Sequence, residues 1–223
     1  MDFKKYKYAI MDYDGTLLDS MHYWRTALSR CVKNIGLEPK EDLDKRARNL
    51  NHKESLQFVK DEYNLDLTIE EIENKIIDDL YDNYSKLKLK DGAIRLLDYL
   101  KNNNIKIIVL SATTIPLLLK SFKENNITNY FNKVLSSSEL GLSKKDERPF
   151  LYALEEIGGN INNTIVFEDS LYAIKGARMA GFNICGIMDD ESINDFDKIK
   201  ELTLSFTTLK DVPLNYEKKD NNN

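Results

Sequence analysis

Two spacings of apolar residues alternate along the chain. Five short runs rich in β-branched residues, 8–11, 105–110, 133–135, 164–167 and 183–187, are too short for helices and predict strands. Between most of them the spacing lengthens to that of a helix face: Ala93, Leu96, Leu97 and Leu100, then Ile115, Leu118, Leu119 and Phe122, then Phe150, Ala153, Leu154 and Ile157. Strands alternating with helices predict an α/β fold, a doubly wound, Rossmann-like parallel sheet covered on both faces. Residues 20–88 break the rhythm and read as helix throughout. Trp24, Leu28, Cys31 and Ile35 share a stripe, as do Leu43, Ala47 and Leu50, then Leu56, Val59 and Tyr63, then Ile69, Ile72, Ile76, Leu80 and Tyr84. Thr68 followed by Glu71 predicts a capping box at the start of the last helix. The expected organisation is a core domain of residues 1–19 and 89–213, an inserted helical cap domain of 20–88, and a flexible tail of 214–223.

Composition narrows the function classes. With 42% apolar and 31% charged residues among 223, and only 9 Gly and 4 Pro, the chain reads as a globular protein with enough length to bury a core unaided. Its net charge of -5, with acids and bases interspersed, argues against nucleic acid as a partner. Cys31 and Cys185 are too few for a disulfide framework, so a reducing compartment is expected. No segment reads as a signal peptide or membrane span, so the expectation is a cytoplasmic protein with no membrane partner. Nothing in the sequence demands more than a monomer.

Three predicted strands end in reactive side chains. The first runs into Asp12-Tyr13-Asp14-Gly15-Thr16. Carboxylates two apart on an extended strand share a face, and Gly15 allows a sharp turn behind them. Two acids at the carboxyl edge of a sheet suit a hard cation such as Mg²⁺, although Asp and Gly are also ordinary turn residues. The second strand stops at Ser111-Ala112-Thr113-Thr114, a phosphate cradle in outline or a plain helix N-cap. The fourth ends in Glu168-Asp169-Ser170, acids that could complete a metal site or cap the next helix.

In combination these segments resemble the haloacid dehalogenase-like hydrolase superfamily, in its branch with β-phosphoglucomutase and small phosphatases. The resemblance spans nearly the whole chain and rests on four signatures in order: Asp12-Tyr-Asp14-Gly-Thr16-Leu, Ser111 at a strand end, Lys144, and Phe-Glu168-Asp169-Ser170 with Gly181 behind. It implies a phosphatase acting on a small phosphorylated metabolite, with Asp12 as nucleophile and Asp14 as general acid and base. It further implies Mg²⁺ held by Asp12, Asp169 and the backbone carbonyl of Asp14, with Glu168 in an outer layer. Ser111 and Lys144, with the amides of Tyr13 and Ala112, would bind the phosphoryl oxygens while Thr16 steadies the loop.

The chain departs from the family pattern at two places. Where the family shows Lys-Pro-x-Pro, this sequence reads Lys144-Lys145-Asp146-Glu147-Arg148-Pro149; counting back from Phe150 selects Lys144, with Lys145 the alternative. In the helical segment a mutase-type histidine is replaced by Trp24, and a phosphate-gripping arginine by His52, with Arg48 nearby. Losing that bidentate grip favours phosphatase over mutase. Trp24 reads first as a core aromatic, and His52 equally as a surface residue. Asp14 argues against dehalogenase and phosphonatase chemistry, although Lys53 resembles the cap lysine of the latter. The alternative of another class is a catalytically silent binding protein on the same fold.

Overall fold

The computed structural model describes residues 3–47, 50 and 52–214. The chain divides into two compact units, residues 1–19 with 88–223, and residues 20–87.

In the first unit six parallel strands form one sheet in the order β3-β2-β1-β4-β5-β6. They are β1 (Tyr8–Met11), β2 (Lys106–Ser111), β3 (Lys133–Ser136), β4 (Thr164–Glu168), β5 (Asn183–Ile187) and β6 (Ser205–Thr207). The central strands are apolar on both faces, as a sheet with two helical layers requires. Ile10, Ile108, Val166 and Ile184 join a core with Phe150, Ala153, Ile174 and Ile199. On alternate residues, Ala9, Met11, Val109 and Phe167 are also buried, and Phe167 stacks on Phe3 at 5.6 Å. Each fully buried Ile, Val, Met or Phe side chain contributes roughly 1.5–3 kcal/mol by leaving water. β6 goes beyond the five strands the apolar runs predict; three half-buried residues are too few to display an alternation.

The helices of the second unit are α1 (Met21–Arg25), α2 (Ala27–Asn34), α3 (Leu43–Ala47), α4 (His52–Glu62) and α5 (Ile69–Asn83). Those of the sheet unit are α6 (Ala93–Asn102), α7 (Ile115–Glu124), α8 (Arg148–Ile157), α9 (Leu171–Met179) and α10 (Phe196–Leu202). Val32, Leu43 and Val59 form the centre of the helical unit, flanked by Leu28, Phe58 and Tyr63. Thr68 and Glu71 make the capping box that starts α5. The stripe from Trp24 to Ile35 is broken at Thr26, which leaves helical geometry while its hydroxyl bonds the His22 carbonyl at 3.1 Å. Leu50, expected in the stripe with Leu43, is 37% exposed.

The two crossings between units are paired at their roots. Leu18 bridges Leu89, and the amide of Asp19 donates to Lys88 O at 2.9 Å. That bond draws Lys88 into the sheet unit, one residue short of the boundary expected from the helical pattern. Among the described residues no helix is long and apolar enough to cross a membrane.

Candidate active site

Strand order reverses direction at β1, which lies between β2 and β4, so the carboxyl ends of these three strands meet at a topological switch point. Chain leaving β1 is turned back within a few residues. Gly15 has φ 78°, a conformation an L side chain strains to adopt, and the amides of Leu17 and Leu18 both donate to Tyr13 O. The Tyr13 ring is buried edge-on against Phe122, and its hydroxyl lies 2.8 Å from Ser121 Oγ on α7. Burial of the ring pushes the phenol well above its usual range.

Asp12 follows directly on β1, and its amide donates to Phe167 O of β4 at 3.0 Å, which brings its carboxylate to the end of β4. Lys144 Nζ lies 2.7 Å from Asp12 Oδ1 and 2.5 Å from Glu168 Oε2. Thr16 Oγ1 is within hydrogen-bond reach of Asp12 Oδ2 at 2.9 Å and Asp169 Oδ1 at 3.2 Å. All five side chains are buried. Glu168 spends its other oxygen on the chain that follows, accepting from the amides of Asp169 and Ser170, both at 3.1 Å. Lys145 is exposed, so the ammonium that reaches the acids is that of Lys144.

Three carboxylates around one ammonium leave an excess of buried negative charge. Burial, together with the charge of Glu168 and against the pull of Lys144, pushes the Asp12 carboxyl up to about 7. Asp169 is likewise raised by burial, then by Glu168 and Asp12. Lys144 moves the other way from an ordinary buried lysine: burial would lower it, but Asp12 and Glu168 hold it above its usual value. Ligand oxygens of Asp12, Glu168 and Asp169 all lie within 4.8 Å of one another. Buried oxygen donors with uncompensated charge fit a hard divalent cation, and they fit Mg²⁺. Glu168 lies in the same cluster, with one oxygen on Lys144 and the other on the amides of Asp169 and Ser170.

Asp14 sits two residues on and is held by β2. Ser111 Oγ and Thr113 Oγ1 both lie within reach of Asp14 Oδ2, at 3.2 and 2.8 Å, and the Thr113 amide donates to Ser111 Oγ at 3.0 Å. Thr113 was not among the expected site residues; hydroxyls at 111 and 113, spaced like the acids at 12 and 14, were the available signal. Ala112 lies between them on the loop into α7, its carbonyl accepting from Ser138 Oγ at 2.7 Å. Asp12, Tyr13, Asp14, Thr16, Ser111, Ala112, Lys144, Glu168 and Asp169 thus come from the ends of three strands and one loop within the sheet unit.

The remaining candidates belong to the helical unit. Trp24 on α1 packs against Tyr84, ring centroids 5.8 Å apart. His52 is the first residue of α4 and Lys53 the second. Arg48 lies outside the described residues.

The model of the family described as haloacid dehalogenase-like hydrolase matches residues 9–187. A phosphorylated carbohydrates phosphatase of Thermotoga maritima is 24% identical over 83% of this chain and 86% of its own. A phosphoglycolate phosphatase of Agrobacterium fabrum is 26% identical over 80% of this chain and 79% of its own. Among solved structures, a Thermotoga maritima protein provisionally described as a β-phosphoglucomutase superposes with a TM-score of 0.81 at 23% identity, covering 92% of this chain and 95% of its own.

Proposed function

Since the chain belongs to the haloacid dehalogenase-like hydrolase family, we propose that it is a Mg²⁺-dependent phosphatase that hydrolyses a small phosphorylated metabolite through an aspartyl phosphate. The observation that carries this reading is the setting of Asp12, a buried carboxylate that shares Lys144 with Glu168 and stands in an acidic cluster suited to a cation. Phosphatase names among the relatives support the reaction class.

In the first step an Asp12 oxygen bonds to phosphorus as the bond from phosphorus to the leaving oxygen breaks, and Asp14, protonated, passes its proton to that oxygen. In the second step water attacks phosphorus, gives a proton to the Asp14 carboxylate, and displaces the Asp12 oxygen as inorganic phosphate departs. Ser111 and Thr113 orient Asp14 for both transfers. Lys144, with Ser111 and the amides of Tyr13 and Ala112, binds the phosphoryl oxygens, while Thr16 holds the Asp12 carboxylate. Asp12, Asp169 and the Asp14 carbonyl would hold Mg²⁺, with Glu168 behind them, and the ion would supply positive charge that offsets repulsion between nucleophile and anionic substrate. Substrate selection falls in this reading to the helical unit as a cap, with Trp24, Arg48 and His52 the residues to vary. The enzyme acts as a cytoplasmic monomer.

The test is phosphate release from a panel of phosphorylated metabolites with Mg²⁺ or EDTA, wild type against Asp12→Asn. Release that requires both the metal and Asp12 is expected, with a loss of at least about a thousandfold in the variant. Conversion of β-glucose 1-phosphate to glucose 6-phosphate, primed by the 1,6-bisphosphate and without release, would overturn hydrolysis in favour of a mutase. Binding of Mg²⁺ and beryllium fluoride without turnover would favour the silent binding protein.

A further inference from the structure

We propose that Gly176 and Asp146 are positioning residues for Lys144, a two-point clamp on the turn that carries the ammonium into the acidic cluster. Lys144 lies on an irregular segment between β3 and α8 whose next residues, Lys145, Asp146 and Glu147, contain no proline to stiffen it. Yet its ammonium must meet Asp12 Oδ1 at 2.7 Å and Glu168 Oε2 at 2.5 Å. Reach alone does not achieve this, because a lysine side chain is flexible and the backbone beneath it must be fixed.

The first point is Gly176, in the interior of α9, where glycine is a poor helix former. A Cβ on Gly176 would strike the carbonyl oxygens of Lys144 and Asp146, the latter at 2.7 Å. Both are backbone atoms, so no flexible side-chain end can yield. The turn therefore lies on α9 more closely than any other residue at 176 would allow. The same helix begins directly after Glu168, Asp169 and Ser170, so one rigid element sets both the acids and the turn that brings their counter-charge.

Asp146 is the second point, at the far side of the turn. Its amide donates to Ser143 O at 3.2 Å, and its carboxylate accepts from the Arg148 amide at 3.1 Å and from Arg148 Nε at 3.0 Å. These bonds tie the turn to the first residues of α8, which Pro149 pre-sets for helix. Phe150, one residue further on, places its ring 6.0 Å from Lys144 Nζ.

The consequence for turnover rests on the phosphatase reading; the position of the ammonium does not. The deciding readout is therefore the ¹⁵N signal of the Lys144 ammonium in metal-free protein, slowed in exchange by burial and pairing, and identified by its absence in Lys144→Arg. Gly176→Ala is expected to displace or abolish that signal and to lower kcat/KM for phosphate release at least tenfold. Lys175→Ala, at the exposed neighbouring position, should leave both unchanged. Should Gly176→Ala fail to fold, Asp146→Asn at the other end of the turn is expected to broaden the same signal. An unaltered Lys144 signal in either folded variant, its loss in Lys175→Ala, or a wild type with no protected ammonium would overturn the clamp. A wild type that shows the signal but releases no phosphate would overturn the phosphatase reading alone.

Discussion

Both units bury a carboxylate network, and the two networks differ in how fully the charges are answered. In the helical unit Asp79 Oδ2 accepts from Tyr23 Oη and Arg30 Nε, each at 2.8 Å, and Oδ1 accepts from Asn83 at 3.0 Å. Arg30 in turn lies over the Tyr23 ring at 3.5 Å. Burial alone would raise Asp79, but the bonds from Arg30 and Tyr23 outweigh it and hold the carboxyl below its usual value. In the sheet unit Asp12, Glu168 and Asp169 share Lys144, and Asp12 and Asp169 are raised. Similar ingredients thus give opposite outcomes. A network whose charges balance fastens helices, whereas a buried cluster with charge left over suits a cation.

Breaking each network separately measures the contrast. The largest effect is expected for Lys144→Met, which strands the buried acids without a counter-charge and should cost about 3–5 kcal/mol in urea unfolding at neutral pH without metal. Added Mg²⁺ should restore part of that loss, which a purely structural ion pair would not permit. Asp79→Ala removes the acceptor of Tyr23 and Arg30 and should cost less, about 1–3 kcal/mol, with no Mg²⁺ rescue. The smallest effect, and the sharpest in sign, is expected from pH. Raised from 3.8 to about 7, Asp12 makes the native state the tighter proton binder between those values, so its contribution is lost as pH rises through that window. Asp79, held below 3.8, contributes stability above that pH and loses it as pH falls further. Unfolding midpoints across pH in EDTA and in Mg²⁺ should show the neutral-pH loss only in EDTA; an identical slope in both would remove the case for a cation at Asp12.

Much of the architecture was legible because burial imposes a period on the chain. The alternating strands and helices, the all-helical insert and the Thr68 capping box follow from local spacing, which needs no knowledge of what packs against what. Other features leave only weak local signals. β6 is three residues long, and the break at Thr26 is made by a hydroxyl bonded to the preceding turn, which leaves the apolar stripe intact on paper. The residues around Asp12 were legible as a set because the covalent order Asp-x-Asp-Gly-Thr places carboxylates, a turn and a hydroxyl together whatever the rest of the chain does. Thr113 is not singled out by the sequence, because a hydroxyl after a strand is so often a cap. Here Thr114 holds the N-cap place of α7 without a side-chain bond, and Thr113 turns to Asp14 instead.

By itself the sequence determined which residues bring chemistry to the strand ends, since chain order and period are local properties. Only the tertiary structure decided how those residues meet. It brought Lys144 against Asp12 and Glu168, turned Thr113 to Asp14, and laid the Lys144 turn on Gly176. The physical reason is distance along the chain: Asp12 and Lys144 are brought to 2.7 Å by a sheet that pairs β1 with β2 and β4 and by helix α9 packed beneath the turn. Differences of an ångström in such non-local packing set how closely a side chain meets its partner, and no local pattern records them.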